Sequence, residues 1–380
     1  MLQAFRNGTL FTDDGFETGK TLLVRDGRIE AVVSAGQVLG ADRIVDLQGQ
    51  LLVPGFIDTQ VNGGGGVLFN EDPSVESIAA IGATHRRFGT TGFLPTLISD
   101  DLHVVERAID AVRAAIEQRV PGVLGIHIEG PFLAHERRGV HDASKLRTLD
   151  DDALRLLATP HGGVTMVTLA PEKTSPENIR ALTAAGVIVS AGHTNATFDE
   201  LQPALAGGLR GFTHLFNAMS QLGNREPGAV GAALANEDCW CGLIVDGHHV
   251  HAETLKIALR AKRHDRFLLV SDAMPSVGAD TRAFQIQGKN ITVNGDKIVD
   301  DEGRLAGAHL DMAGAVRNAV KLLGLQLGSA LRMASVNPAA FLKLDALVGR
   351  IATGQRADLV LLDGDLAVKQ TWIDGRTDSV

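Results

Sequence analysis

The sequence predicts an α/β protein with an eight-stranded (β/α)8 barrel in its middle and one small β-rich domain formed by both termini. The middle of the 380-residue chain alternates apolar, strand-like runs with segments of helical period. Both ends consist of short strands and turns, and the length suits one large barrel with a small second domain. We therefore predict a β-rich domain of residues 1–52 plus 345–380 and a barrel domain of residues 53–344.

Turn signals define the terminal domain. Residues 22–25 and 28–33 flank Asp26-Gly27, a dipeptide that supplies the positive φ of a tight hairpin. The C-terminal residues repeat the pattern around Asp363-Gly364. Two ends of the same character predict one small sheet domain built from both.

The barrel prediction rests on eight strand-like runs. They are residues 53–60, 91–98, 123–129, 164–170, 187–192, 211–215, 240–246 and 267–272. The helices expected among them and after the last are residues 75–88, 102–118, 153–158, 177–185, 198–206, 252–263 and 312–323, and an insertion at 283–299 is typical of a hairpin. A doubly wound sheet is the rival, but it seldom has eight units, and no Gly-x-Gly-x-x-Gly turn follows the first strand.

Charge and composition exclude several classes of partner. The formal net charge is −9, with acidic residues spread along the chain, which argues against nucleic acid as a partner. No apolar run reaches membrane-spanning length, and the N-terminus has no apolar leader region. The two cysteines, Cys239 and Cys241, are too few for a disulfide framework. We expect a cytoplasmic enzyme with a small-molecule substrate and no membrane partner.

Ionisable residues follow several predicted strands, at the barrel edge where active sites lie. Glu129 ends the third strand, His193 follows the fifth and His214 belongs to the sixth. Each alone has a structural reading, Glu129 as a solvated turn residue and the histidines as packed side chains. Together they match a catalytic metal site with three protein ligands and a fourth position for water. Such ligands suit zinc, with iron(II) or another divalent ion as the alternative.

Other residues near these strand ends suit the chemistry of an amide. Asp272 ends the last strand, where a carboxylate can move a proton from water to a leaving amine, or else cap a helix or pair with a cation. Arg225 lies in a loop rich in Gly and Pro, where a guanidinium group suits the binding of a phosphate. Considered alone, it is more typical of an exposed surface arginine. Of the histidines in DGHHVH we expect His249 to face the substrate. His127 is either a neighbour of the metal site or a packed core residue.

Eight motifs carry a resemblance to a known family. They are PGFIDTQVNGGGG (54–66), HIEGPF (127–132), TLAPE (168–172), SAGHTNAT (190–197), THLFNAMS (213–220), REPGAVGA (225–232), DGHHV (246–250) and VSDAM (270–274). In order and spacing they resemble the N-acetylglucosamine-6-phosphate deacetylases of the amidohydrolase superfamily. The resemblance runs from the first hairpin to the C-terminal strands.

The resemblance implies a TIM-like barrel with a small β-sandwich domain formed by both termini. It implies that Glu129, His193 and His214 are the metal ligands and that Asp272 is the catalytic acid and base. The substrate contacts that it implies are Val140, His141, Asn217, Ala218, Arg225, His249, Leu305, Ala306 and Gly307.

The metal count follows from a departure within the family. Many amidohydrolases carry His-x-His after the first strand for a second metal ion, and here these vestigial positions are Gln60 and Asn62. Neutral amides are poor ligands for such a site, so we predict one divalent metal ion per subunit. The resemblance also implies a homodimer in which Arg225 reaches the neighbouring site.

The predicted reaction is hydrolysis of N-acetyl-D-glucosamine 6-phosphate to D-glucosamine 6-phosphate and acetate. The alternative is the same chemistry on N-acetylgalactosamine 6-phosphate or on another amide, because the sugar epimer depends on loop contacts. A metal-free, sugar-phosphate-binding barrel without activity is the alternative from a different class.

Overall fold

The computed structural model describes residues 1–35 and 40–377, so residues 36–39 and 378–380 of the predicted terminal domain lie outside the described residues. The strands are, in chain order, β1 (Leu2–Arg6), β2 (Thr9–Thr12), β3 (Gly15–Glu17), β4 (Lys20–Arg25), β5 (Arg28–Ser34), β6 (Arg43–Asp46), β7 (Leu51–Pro54), β8 (Phe56–Val61), β9 (Gly63–Gly64), β10 (Val67–Leu68), β11 (Thr90–Ile98), β12 (Gly125–Glu129), β13 (Val164–Leu169), β14 (Ile188–Ala191), β15 (Gly211–Phe212), β16 (Trp240–Leu243), β17 (Phe267–Leu269), β18 (Ala283–Ile286), β19 (Lys289–Asn294), β20 (Lys297–Asp300), β21 (Leu359–Leu362) and β22 (Val368–Trp372).

The helices surround the central strands. They are α1 (Val75–Arg86), α2 (Leu102–Glu117), α3 (Asp151–Leu157), α4 (Pro176–Ala184), α5 (Phe198–Ala206), α6 (Gly228–Ala235), α7 (Ala252–Ala261), α8 (Met312–Leu323), α9 (Leu327–Ala334) and α10 (Val336–Phe341). The start of α5 shows why the sequence folds this way: the Thr197 and Glu200 side chains bond reciprocally to backbone amides in a capping box. Among the described residues, none of the helices combines the length and apolar character needed to cross a membrane.

The central sheet is the predicted (β/α)8 barrel. Its eight strands run in the order β17-β16-β15-β14-β13-β12-β11-β8, and each neighbouring pair is parallel. The first and last strands meet at the end of β8 and beyond the end of β17, where Val61 bridges Ala273 and the amide of Asn62 donates to the Ala273 carbonyl at 3.0 Å. The strands are buried on both faces, as every residue of β8 and β11 shows.

Four predicted strands differ clearly from those observed. The run 53–60 is divided between β7, which belongs to a terminal sheet, and β8, which begins the barrel. Gly55 separates them, and its close approach to Thr91 leaves no room for a side chain, since a Cβ there would lie 2.0 Å from Thr91 Oγ1. The runs 211–215, 240–246 and 267–272 end early, at Phe212, Leu243 and Leu269. The first and last of these runs contain left-handed residues, His214 and Asp272, whose backbone cannot continue an extended strand.

Two sheets from both termini share a second core. One has the order β5-β4-β1-β6 and the other β22-β21-β7-β2-β3, so strands from both ends pair within the second sheet. Phe5 and Leu22 of the first sheet pack with Leu52, Leu359 and Trp372 of the second. This is the expected β-sandwich. The boundaries at residues 52 and 345 stay a prediction.

The predicted hairpin insertion is a three-stranded antiparallel sheet, β18-β19-β20. Its inner side chains, among them Ile286, pack with Met274 near the end of the last barrel strand. Lys289 Nζ donates to the Val140 carbonyl at 2.7 Å, and Gln287 Nε2 donates to the Ser99 carbonyl at 2.6 Å. This sheet is therefore fastened over the carboxyl ends of the barrel strands.

Candidate metal centre and active site

The predicted site residues lie at the carboxyl ends of the barrel strands. Glu129 is the last residue of β12, His193 and His214 each stand two residues beyond a strand, and Asp272 stands three beyond β17. Three of the four have left-handed backbones, with φ of 48° at His193, 35° at His214 and 50° at Asp272. Such conformations are costly for residues other than glycine and collect at functional sites. Here the turn at each strand end carries one of these side chains.

Glu129, His193 and His214 converge on one point. Glu129 Oε1 lies 3.1 Å from His193 Nε2 and 3.0 Å from His214 Nε2, and the two imidazole nitrogens are 3.1 Å apart. All three side chains are buried. Metal–ligand bonds of roughly 2.0–2.2 Å place neighbouring ligand atoms roughly 3 Å apart, so the spacing fits a single ion.

The hydrogen bonds around His193 also favour a cation. Its Nδ1 faces the Arg137 carbonyl oxygen at 2.8 Å, which requires the proton to be on Nδ1. In the neutral ring Nε2 then presents a lone pair toward Glu129 Oε1, which has no proton to share once ionised. A bound cation satisfies both atoms, and a carbonyl that orients a ligating histidine from behind is common at metal sites.

Electrostatics keep Glu129 ionised. Burial alone raises the pKa of its carboxyl group, but the close contacts with the His193 and His214 imidazoles outweigh burial and hold the pKa well below its usual range. Burial lowers the pKa of His214, and the bond to Glu129 reverses this, so the net pKa is raised. An ionised carboxylate between two imidazoles is the donor set that a divalent metal ion takes.

Asp272 stands beside this cluster with a perturbed acidity. Burial, followed by the negative charge of Glu129, raises the pKa of Asp272 to about 6. Asn62 Nδ2 donates to Asp272 Oδ1 at 2.7 Å. A carboxylate with a pKa near neutrality, buried beside a metal-ligating cluster, suits general acid–base catalysis.

The amides at the vestigial second-metal positions hydrogen-bond the two carboxylates. Gln60 Nε2 donates to both oxygens of Glu129 at 3.2 Å, and Asn62 serves Asp272 as described. His127 takes no part in the cluster. It is fully buried between Thr96 and Thr168, whose hydroxyls lie 3.3 and 2.7 Å from its ring nitrogens. His127 is therefore a packed core histidine.

His249 is held by a carboxylate of its own loop. Its Nδ1 lies 2.6 Å from Asp246 Oδ2, while Asp246 Oδ1 accepts from the backbone amides of His248 and His249 at 2.9 Å. The side chains of Asp246 and His249 are each 6% exposed. The aspartate therefore keeps a proton on Nδ1 and fixes the direction in which Nε2 points.

These residues border one cleft of about 390 Å³. The predicted residues that line it are Asn62, Glu129, Val140, His141, His193, His214, Asn217, Ala218, His249, Asp272, Leu305 and Gly307. Ala306 is buried between two lining residues, and Gln60 lies beneath the cluster. Arg225 sits on an exposed loop outside this cleft of its own chain.

The cleft also has lining residues that the sequence did not single out. They are Ile98, Glu136, Arg137, Arg138, Gly139, Ile244, Met274, Ile286 and Arg304. The available signal was the string ERRG directly before Val140, which places two cations next to a predicted substrate contact. The sheet β18-β20 gave no such signal, because its contact with the barrel is long-range.

Known proteins share both sequence and fold with this chain. The sequence pattern of the amidohydrolase family matches residues 51–377. The chain belongs to the amidohydrolase family. An N-acetylgalactosamine-6-phosphate deacetylase of Shewanella sp. (strain ANA-3) is 47% identical over 85% of this chain and 82% of its own. An N-acetylglucosamine-6-phosphate deacetylase of Haemophilus influenzae is 32% identical over 99% of both chains.

A solved structure agrees with these sequence relatives. The crystal structure of N-acetylglucosamine-6-phosphate deacetylase from Pasteurella multocida superposes with a TM-score of 0.97 at 35% identity, over 100% of both chains. The predicted family resemblance and the predicted class, a metal-dependent amidohydrolase, are confirmed. The family implies a divalent metal ion, and the Glu129, His193 and His214 cluster is able to hold one.

Proposed function

We propose that this amidohydrolase removes the acetyl group from an N-acetylated amino-sugar 6-phosphate, with N-acetyl-D-glucosamine 6-phosphate as the main substrate. The observation that carries the proposal is the buried Glu129, His193 and His214 cluster beside Asp272, whose pKa is about 6. A cluster of this kind suits hydrolysis of an unactivated amide, in which water must be made nucleophilic and the amine must be protonated as it leaves.

Glu129, His193 and His214 are the proposed ligands of one divalent ion. When bound, the ion acts as a Lewis acid toward the acetyl carbonyl group and makes a water molecule more acidic. Zinc is the proposed ion, since two imidazoles and one carboxylate are among its common ligand sets, and iron(II) is the alternative. Metal analysis of the purified protein is the test, with one ion per chain expected.

Asp272 is the proposed acid and base. Asn62 occupies Oδ1, so Oδ2 is the oxygen of this carboxylate with no hydrogen bond from a described residue. Asp272 takes a proton from water as the water oxygen bonds to the acetyl carbon, and then gives that proton to the sugar nitrogen as the C–N bond breaks. The second proton of the water passes to the amine as well, so the products are acetate and the protonated amine, and the Asp272 carboxylate is regenerated.

His249 is proposed to hydrogen-bond the acetyl oxygen as it becomes negative. Since Asp246 holds the Nδ1 proton, Nε2 donates a hydrogen bond only in the doubly protonated ring. The neutral ring instead accepts a hydrogen bond, for example from a sugar hydroxyl. The proposed role therefore requires protonated His249 at the moment of attack, with Asp246 balancing its charge.

The proposed contacts of the sugar phosphate are seven residues that line or adjoin the cleft. They are Val140, His141, Asn217, Ala218, Leu305, Ala306 and Gly307. Arg225 is proposed to serve the cleft of a neighbouring subunit in a homodimer, since in its own chain it lies on an exposed loop outside the cleft.

A second candidate substrate is N-acetylgalactosamine 6-phosphate. The observation that favours it is the 47% identity to a relative named for that activity. An acetate-release assay that compares both sugar phosphates and both unphosphorylated sugars, with and without chelator, tests the proposal. We expect chelator-sensitive release from a phosphorylated sugar. Release that survives complete metal removal, or none from either phosphate, would overturn it.

A further inference from the structure

The mouth of the cleft carries two arginines without a neutralising carboxylate. Arg137 and Arg138 both line the cleft and are partly exposed. Arg137 Nε donates to Asn195 Oδ1 at 3.0 Å, and Arg138 Nη1 donates to the His135 carbonyl at 2.9 Å. Neither guanidinium forms an ion pair within residues 1–35 and 40–377. Both charges are therefore available to an anion that enters the cleft.

The other arginines near the cleft are placed differently. Arg304 also lines it, but its Nε lies 2.8 Å from Asp300 Oδ2 and its Nη1 lies 2.8 Å from Glu302 Oε2. Two carboxylates thus balance its single charge. Arg225 lies on an exposed loop outside the cleft. Arg137 and Arg138 are consequently the unpaired guanidinium groups that this chain brings to its own cleft, among the residues the structure describes.

The turn that carries these arginines is fastened to the metal-ligand cluster. The Arg137 carbonyl accepts from His193 Nδ1 at 2.8 Å, and the Ala134 amide donates to the His193 carbonyl at 2.9 Å. On the other side, the His141 amide donates to the Arg138 carbonyl at 3.1 Å. The backbone between residues 134 and 141 is therefore held at a fixed distance from the cluster, which lowers the entropic cost of binding a ligand across both.

Charge is separated along the cleft. The inner end holds the carboxylates of Glu129 and Asp272, and the mouth holds the two arginines and one exposed carboxylate, Glu136, so the two arginine charges exceed the one carboxylate charge. The ammonium group of Lys289 donates a hydrogen bond to the Val140 carbonyl. Burial, and then the positive charges of Arg304 and Arg138, lower the pKa of Lys289, so the arginine charges are felt at this residue. An anionic group is attracted to the mouth and repelled by the inner end, so this polarity orients a substrate that has one anionic end.

We propose that Arg137 and Arg138 form an anion subsite within the subunit that binds the 6-phosphate of the substrate. The inference rests on the proposed function and adds a same-chain contact to the Arg225 contact expected from a neighbouring subunit. A phosphate monoester is the fitting ligand, because it accepts several charge-assisted hydrogen bonds from two guanidinium groups at once.

The test is the ratio of kcat/KM for the phosphorylated sugar to kcat/KM for the same sugar without phosphate. Arg137→Gln and Arg138→Gln are each expected to lower this ratio about tenfold, and the double variant about 100-fold, from the usual strength of charge-assisted hydrogen bonds. Arg138→Lys should recover part of the loss, since it restores the charge without the fork of donors. An unchanged ratio in the double variant would overturn the subsite.

The control is Arg180→Gln, which removes the same charge from an exposed arginine of α4 that pairs with Glu177. The kcat/KM ratio of this control should stay within about twofold of the parent ratio. A loss equal to that of the double variant would show that the net charge of the protein, and not a local contact, sets the ratio, and would overturn the subsite. If the parent protein releases no acetate from any sugar, the proposed function fails. Binding of inorganic phosphate, measured by calorimetry, then decides separately: weaker binding by the double variant supports the subsite, and equal binding overturns it.

Discussion

Replacement of Asp272 by asparagine tests two properties of the carboxylate separately: its proposed role in catalysis, and the free energy of unfolding that is lost because the ionised group is buried. The change removes the proton acceptor but keeps the size of the side chain and an oxygen that accepts the Asn62 hydrogen bond. Loss of a positioned general base lowers a rate by about 10²- to 10⁴-fold. We expect kcat to fall by this amount while the metal content stays unchanged, since Asp272 is not one of the three clustered ligands.

The same substitution should stabilise the chelator-treated protein. The pKa of Asp272 is about 6 in the folded chain, against an ordinary value of 3.8. Because the folded value is the higher one, ionisation opposes folding: the cost is absent below about pH 4, grows between the two pKa values and is complete above about pH 6. A shift of about two units corresponds to about 3 kcal/mol. The variant should gain about that free energy of unfolding at pH 8 and almost nothing near pH 4.

Urea unfolding of the parent and of Asp272→Asn at both pH values, with chelator and with metal, measures this effect. With metal bound, the gain at pH 8 should shrink, because a nearby cation stabilises the carboxylate. Equal free energies of unfolding at pH 8 in chelator would refute the reasoning that Asp272 is a desolvated carboxylate. Substantial kcat in the variant would refute its role as the acid and base.

Three further variants address the other parts of the site. Asp246→Asn should lower kcat/KM by about 10- to 100-fold with unchanged metal content, because the one amide oxygen cannot serve both the backbone amides and His249, and the balancing charge is lost; unchanged kinetics would contradict this. Arg225→Ala should raise KM for the phosphorylated sugar about tenfold, and an unchanged KM would remove this residue from the site. Gln60→His combined with Asn62→His should raise the metal content from one to two ions per chain, and analysis that still finds one ion would refute the vestigial-site interpretation.

The sequence predicted best those elements whose signals are local. The run 91–98 corresponds to β11, which is buried on both faces and therefore shows as a continuous apolar run. Residues 198–206 match α5, whose capping box is formed by two residues close in sequence, Thr197 and Glu200. Helix α6 was missed, since GAVGAALA is small and apolar all round and shows no helical period. The division of the run 53–60 was missed because the requirement for glycine at position 55 comes from close contact with Thr91, which is distant in sequence.

The candidate site divides in the same way. Glu129, His193, His214 and Asp272 were predictable because the end of a strand is a local feature and the barrel brings strand ends together. The pairing of His249 with Asp246 depends on a loop conformation, and so do the positions of the arginines at the mouth of the cleft. Of the two readings of His127, the contacts of both ring nitrogens with Thr96 and Thr168 favour the packed core residue.

The side-chain amides of Gln60 and Asn62 donate hydrogen bonds to the carboxylates of the site. Asn62 lies just after the first barrel strand and Asp272 just after the last, so their 2.7 Å hydrogen bond crosses the seam where the barrel closes. Asp58 supports the same seam by accepting hydrogen bonds at 3.2 Å from the amides of Gln60 and Ser271. The contacts that close the barrel therefore also orient the Asp272 carboxylate. The neutral amide of Asn62 stabilises the ionised form of that carboxylate without adding a charge to the site.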